Sequence, residues 1–131
     1  MKSRIFNFLF VFAFSAWSAS AYSARPYYYL TIHVNNILIH KGKMHIGIYN
    51  NEQDFDNKKY YAGTITDVKG KTFKIVFQLP KGTYAVQMFQ DTNNDNTMNS
   101  ILGVPLEPYG VSRNVSGFHT FKKNRFTLDK N

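Results

Sequence analysis

Cysteine is absent from the 131-residue sequence, and acidic residues are scarce. The lack of cysteine excludes disulfide bonds, thiolate metal sites and cysteine nucleophiles. Only eight Asp and Glu residues oppose sixteen Lys and Arg residues, which gives a formal net charge of +8. Apolar residues make up 44% and aromatic residues 17% of the chain, enough for one core without covalent cross-links. The composition is therefore typical of one folded, basic domain.

The apolar run near the N-terminus is too short to cross a membrane as a helix, which needs roughly 20 residues. Two basic residues precede this Phe-rich run, which covers residues 5–14, and the small residues Ala19-Ser20-Ala21 follow it. Signal peptidase reads small residues at this spacing. We therefore predict a signal peptide over residues 1–21, cleaved after its last alanine or alternatively after Ala24. The mature domain, residues 22–131, is then periplasmic or secreted and has no transmembrane span.

The basic residues of the mature domain recur in small groups and do not form one run. Alternation in strands would place many of them on a solvated face of a sheet. The alternative is attraction to an anionic envelope surface or a polysaccharide. Nucleic acid is not expected as a partner of an exported domain.

Short segments of β-branched and aromatic residues alternate with turn residues along the mature chain. Met44, Ile46 and Ile48 share one face of such a segment. Pro80-Lys81-Gly82 forms the clearest turn and predicts a hairpin into the strand that carries Tyr84. The pattern predicts an all-β, antiparallel two-sheet β-sandwich of about seven strands with negligible helix. The strand segments are residues 27–39, 44–49, 60–68, 72–79, 83–90 and 120–128, and the predicted core residues are Ile46, Ile48, Ile75, Phe77, Tyr84, Val86 and Met88.

A long loop follows residues 83–90 and carries oxygen-bearing side chains at every second position. In a calcium loop, such spacing lets alternate residues point at one hard cation. Because few of these residues are charged, we expect any affinity for calcium to be weak. The alternative is a set of Asx turns, in which the side chains bond the backbone of their own loop. The candidate ligands are Asp91, Asn93, Asp95, the Thr97 carbonyl, Asn99 and, from farther along, Glu107.

Three motif blocks occur in order along most of the mature chain. They are Leu79-Pro80-x-Gly82-x-Tyr84-Ala85-Val86, Asp91-x-Asn93-x-Asp95-x-x-x-Asn99 and Gly103-x-Pro105-x-Glu107-x-Tyr109-Gly110-x-Ser112. With these blocks the sequence resembles the DUF2141 family of uncharacterised bacterial secreted proteins. The resemblance implies a transthyretin-like, carboxypeptidase-regulatory-like or Ig-like β-sandwich in the envelope, with no established activity. The family usually has Asp where Asn99 stands, so this chain lacks one carboxylate of the candidate calcium loop.

The residues of the last motif block suit a clamp, a segment that closes back on the preceding loop. Gly103 and Gly110 permit backbone turns that side chains would block, and Pro105 stiffens the excursion between them. Glu107 and Tyr109 are placed to close back on the loop. Glu107 is then a ligand, a salt-bridge partner or a solvated surface residue.

Two classes of function remain. The first is a non-catalytic binding or structural module of the envelope, with residues 91–112 as its functional end and a protein, peptide or glycan as its partner. The second is a small transthyretin-related hydrolase-like enzyme of unknown substrate. No nucleophile elbow surrounds Ser112, and the four histidines lack a tight metal spacing, so that they are predicted to have surface or cross-strand roles. These absences favour the first class.

Overall fold

Alternating apolar residues build antiparallel sheets in residues 25–131, the part of the chain that the computed structural model describes. The predicted signal peptide lies outside these residues. The strands are β1 Tyr27–Val34, β2 Lys43–Tyr49, β3 Ala62–Asp67, β4 Phe73–Pro80, β5 Gly82–Asp91, β6 Ser100–Ile101, β7 Val104–Pro105, β8 Tyr109–Val111 and β9 Phe126–Leu128. The helices are α1 Glu52–Asp56 and α2 Phe121–Asn124, and a 3₁₀ turn covers Ser112–Asn114. No helix within residues 25–131 has the length and apolar character that crossing a membrane requires.

The strands form a two-stranded sheet facing a larger sheet. β1 pairs with β4 in the smaller sheet, and the larger sheet has the order β3-β2-β5-β8, with β9 also pairing with β5. All these pairs are antiparallel. β6 and β7 form a separate two-stranded ribbon. The predicted all-β antiparallel fold is therefore confirmed, and β5 is its most extensively paired strand.

The core lies between the two sheets and follows the predicted alternation. Ile46 and Ile48 of β2 are buried, as are Tyr84 and Val86 of β5. The other three predicted core residues, Ile75, Phe77 and Met88, are partly buried and pack against this cluster. Burial of each large apolar side chain contributes about 1.5–3 kcal/mol, which makes this inter-sheet layer the main source of stability.

A second apolar cluster covers the opposite face of the larger sheet. Tyr49 of β2 and Ala85 of β5 point away from the core, and Phe55 of α1 and Phe121 of α2 pack over them. The Tyr49 and Phe55 rings meet edge to face, with centroids 5.2 Å apart. Both faces of the larger sheet are therefore covered near this end, and the two short helices are part of that cover.

Two details of the predicted strands are wrong. β4 and β5 do not form a hairpin, because they belong to different sheets and Pro80-Lys81-Gly82 connects one sheet to the other. The predicted strand at residues 120–128 begins with α2, whose cap is Thr120, and only its last three residues form β9. Local turn chemistry fixes the direction of the chain but does not decide which strands pair.

The side chain of Tyr84 explains the first motif block. Its hydroxyl donates a hydrogen bond to the Pro80 carbonyl at 2.8 Å. Its ring lies over Gly82, where an added Cβ would come within 3.1 Å of ring atoms. The three motif residues Pro80, Gly82 and Tyr84 thus fix the corner between the sheets.

We predict that Tyr84→Phe lowers the free energy of unfolding by about 1 kcal/mol, because it removes this partly buried hydrogen bond. Urea denaturation of the mature domain measures the change. Tyr29→Phe is the matched control, since the Tyr29 ring is 54% exposed. Equal stability of the two variants would show that the corner does not depend on the hydroxyl.

Candidate functional site

Asp91, the last residue of β5, lies at the start of the predicted calcium loop and is completely buried, with 0% exposure. Its Oδ1 accepts a hydrogen bond from the Asp95 amide at 3.2 Å, and its Oδ2 accepts one from the Asn96 amide at 2.9 Å. A buried carboxylate needs such partners, because burial of an unpaired charge is costly. We call residues 91–107 the Asx loop. The carboxylate of Asp91 holds the first turn of this loop through these hydrogen bonds.

Asp95 organises the exposed part of the Asx loop. Its Oδ1 accepts hydrogen bonds from the Thr97 hydroxyl at 2.7 Å and the Thr97 amide at 2.9 Å. Its Oδ2 accepts from the side-chain amides of Asn93 at 2.9 Å and Asn99 at 3.0 Å. These hydrogen bonds, from Thr97 first, hold the pKa of Asp95 well below its ordinary value. Four of the predicted ligands therefore interact with one another.

Glu107 closes the Asx loop from its other end. The side chain is buried, and its Oε1 accepts hydrogen bonds from the Thr92 amide at 2.8 Å and the Thr92 hydroxyl at 3.2 Å. Its Oε2 accepts from the Asn99 amide at 3.3 Å. Glu107 is thus neither solvated nor in a salt bridge within the described residues, and it joins the beginning of the loop to its end. The other predicted clamp residue, Tyr109, is 51% exposed and packs on His119.

Left-handed backbone conformations give the Asx loop its tight turns. Asn94 and Asn96 have φ of 60° and 62°, which asparagine tolerates better than most residues. Leu102 and Gly103 both have positive φ between the paired strands β6 and β7, as a two-residue type I′ turn requires. Gly103 of the motif is therefore explained by this turn.

The carboxylates of the Asx loop are engaged mainly by N–H and O–H groups. Asp91, Asp95 and Glu107 all accept hydrogen bonds from the loop itself. Within residues 25–131, no group of three or more His, Asp or Glu side chains is arranged to hold a metal ion. These observations favour the Asx-turn interpretation, and calcium binding stays a prediction.

Two residues of the last motif block, Gly110 and Ser112, lie where β8 and the 3₁₀ turn pack against β5. The Ser112 hydroxyl accepts a hydrogen bond from the Val86 amide at 2.9 Å and donates one to the Asn124 carbonyl at 2.6 Å. The turn predicted at Gly110 is wrong, because Gly110 lies in β8 without a positive φ. It pairs with Met88, and an added Cβ there would lie 3.3 Å from the Met88 side chain. Ser112 thus has a structural role that joins three elements.

A cleft of about 620 Å³ lies beside the Asx loop, on the face of the larger sheet that is turned away from the core. We call it the outer cleft. Parts of the Asx loop and of residues 117–119 form its sides. Its aromatic lining residues are Tyr49, Tyr60, Phe89, Tyr109 and Phe118, and its polar ones include His45, Lys58, Gln87, Asn96, Thr97 and His119.

Lys58 brings a positive charge to the outer cleft. Its ammonium group donates a hydrogen bond to Gln87 Oε1 at 3.0 Å and lies 5.2 Å from the centroid of the Phe55 ring. Burial lowers the pKa of Lys58, and the nearby Asp56 carboxylate partly opposes this effect. The backbone of Lys58 is left-handed, with φ of 57°, immediately after Asn57, the C-cap of α1. The end of the helix thus directs this lysine across the sheet.

Two histidines connect the outer cleft with its surroundings. The His45 ring stacks on Phe89 with centroids 4.6 Å apart, and its Nε2 lies 3.5 Å from Asp91 Oδ2 without forming a hydrogen bond. His119 packs edge to face on Tyr109, and its buried Nδ1 has no hydrogen-bond partner within the described residues. We predicted a surface or cross-strand role for His45; its contact is cross-strand, because Phe89 is its partner on β5, and the side chain is buried and not at the surface.

Tyr49 lines the outer cleft, and burial affects the ionisation of its hydroxyl. The side chain is almost completely buried. Burial first, and the neighbouring Tyr60 second, raise the pKa of Tyr49 above its ordinary value. The hydroxyl, which an ordinary tyrosine already keeps protonated at neutral pH, is therefore still harder to ionise here.

The fold and the site define a small antiparallel β-sandwich domain with an Asx loop that its own carboxylates close. The chain belongs to the DUF2141 family, described as an uncharacterized protein conserved in bacteria, whose sequence pattern matches residues 32–131. The family membership that the motif blocks indicate is thus confirmed. No curated protein and no solved structure matches the chain.

We predict that Asp91→Ala lowers the free energy of unfolding by about 2 kcal/mol in calcium-free buffer, because loop amides lose a buried charged acceptor. Thermal and urea denaturation measure the change. Asp129→Ala in the exposed C-terminal tail is the control and should have no effect.

The dependence of the melting temperature on calcium identifies the opposite outcome. If Asp91→Ala matches the wild type without calcium, and millimolar calcium raises the Tm of the wild type alone, a bound ion and not the hydrogen bonds holds the loop.

Proposed function

We propose that this protein is an exported, non-catalytic binding module of the bacterial envelope, and that the outer cleft is its ligand site. Export is inferred from the predicted signal peptide at residues 1–21. The bacterial setting comes from the family. The Asx loop acts in this proposal as an ordered wall of the cleft, with calcium as a possible addition to its stability.

The observation that carries the proposal is the convergence of aromatic and polar groups in one cleft. Ligand sites are typically cavities of about 300–1,000 Å³ with apolar walls and a few placed polar groups. The outer cleft, at about 620 Å³, falls within this range. Its size suits one small molecule, a short peptide segment or one or two sugar rings, in keeping with a peptide or glycan partner.

A second hollow, of about 810 Å³, lies between β1 and β8. Its walls include apolar residues of the inter-sheet core, among them Ile32, Val86 and Met88. His119, which lines the outer cleft, has a ring nitrogen without a hydrogen-bond partner, whereas no such atom of the described chain lines the second hollow. The outer cleft therefore has the greater capacity for specific recognition.

The hydrolase-like alternative receives no support from the arrangement of these groups. The Ser112 hydroxyl is bonded to backbone groups of Val86 and Asn124. No Asp or Glu lines the outer cleft within the described chain. A serine nucleophile or a carboxylate pair, the groups that such an enzyme would use, is therefore not placed there.

The methionines provide a test of ligand location. Met98 lines the outer cleft alone, Met44 lines the second hollow alone, and Met88 lines both. We predict that a fragment set of small aromatic acids, amides and monosaccharides shifts the ¹³C-methyl NMR signal of Met98 and leaves that of Met44 in place. The protein is purified from the envelope fraction, so that its N-terminal sequence also reports cleavage after Ala21.

Shifts confined to Met44 would place binding in the second hollow and contradict the proposal. A set that shifts no methionine signal would do the same.

A further inference from the structure

The charges that face the outer cleft are of one sign. Lys58 is the only Lys or Arg among its lining residues, and no Asp or Glu lines it within the described chain. The buried Asp91 carboxylate lies behind His45 and accepts hydrogen bonds from loop amides, and the Asp56 carboxylate is near Lys58 but outside the lining and forms no ion pair with it. A ligand in the cleft therefore meets a positive group that no carboxylate of the lining neutralises.

The ammonium group of Lys58 retains hydrogen-bonding capacity. It has three N–H donors, and the described chain provides one hydrogen-bond acceptor for it, Gln87 Oε1 at 3.0 Å. Lys58 forms no ion pair with a carboxylate of residues 25–131. Contact with Phe55 holds the side chain across the sheet. Lys58 thus presents a positioned cation that can accommodate an anionic group.

Aromatic rings that the core does not use line the same cleft as this cation. Tyr60 is 49% exposed, Tyr109 is 51% exposed and Phe118 is 91% exposed, and all three line the outer cleft. Gly47 lies beneath Tyr60, where an added Cβ would come within 2.5 Å of the ring. The absence of a side chain at Gly47 therefore lets the Tyr60 ring lie against the sheet and form the wall.

We infer that the outer cleft selects an organic anion, with its carboxylate or phosphate group at Lys58 and an apolar or aromatic body against the exposed rings. This inference rests on the proposed function and gives the chemical class of its ligand. His119 is a further polar side chain of the lining. Neutral sugars and cationic peptides are then poor ligands.

Matched small probes test the charge requirement. The probes are 3-phenylpropionate, its neutral amide 3-phenylpropionamide and phenyl phosphate, each titrated against the Met98 methyl signal. Lys58 is exposed, and an exposed ion pair changes affinity only a few-fold, so at least one anion should bind about threefold or more tightly than the amide. The ratio between the carboxylate and the phosphate identifies the preferred anionic group.

Variants at neighbouring lysines assign the effect to one residue. Lys58→Gln should reduce the affinity for the anions about threefold and leave that for the amide unchanged, while Lys58→Arg should keep the preference for anions. Lys59→Gln is the control, because Lys59 is exposed and does not line the cleft. Raising the salt concentration should weaken the binding of the anions and leave that of the amide unchanged, so that the preference for anions narrows.

The outcomes separate this inference from the proposed function. If the amide shifts Met98 with an affinity equal to that of the anions, or if Lys58→Gln retains the preference, anion selection is wrong although the cleft binds ligands. If the probes shift Met44 alone, or no methionine at all, both the inference and the proposed function are contradicted.

Discussion

The burial of the Asp91 carboxylate at the end of β5 is the constraint from which the geometry of the site follows. β5 pairs with β2, β8 and β9, so its last residue has a fixed position. An unpaired charge there would cost several kcal/mol, and the chain satisfies it by turning the amides of Asp95 and Asn96 back toward it. Gly42 packs against the Asp91 carbonyl, where a side chain would clash with the backbone. The shape of the Asx loop is thus an outcome of strand pairing and charge burial together.

The outer cleft depends on the same constraint. Asn96 and Thr97, which the turn about Asp91 positions, form part of its side. The His45 ring lies between the Asp91 carboxylate and the Phe89 ring, which lines the cleft. Glu107 then returns the chain toward β8, and the Pro108 carbonyl accepts a hydrogen bond from the Gln90 amide at 2.8 Å. A loop ordered in this way can serve as a wall of a binding site without large rearrangement.

Sequence patterns predicted the core and the loop but not the cleft. Alternation of apolar residues identifies Ile46, Ile48 and Val86, because a strand with one face in a core has a period of two. The spacing of the Asx residues indicates that Asp91 and Asp95 organise the same loop, because the groups that donate hydrogen bonds to them are close in sequence. Lys58 and Gln87 are 29 positions apart and meet only through the order of strands in the sheet. No local signal could have indicated that contact, or the left-handed backbone of Lys58.

Amide hydrogen exchange in calcium-free buffer tests most directly whether buried carboxylates hold the Asx loop. The amide of Thr92 donates to Glu107 and the amide of Asn96 donates to Asp91, and both hydrogen bonds are partly buried. We expect both to exchange at least about tenfold more slowly than in an unstructured peptide, with calcium adding little. Exchange at the unstructured rate without calcium, and slow exchange only after calcium is added, would contradict the account.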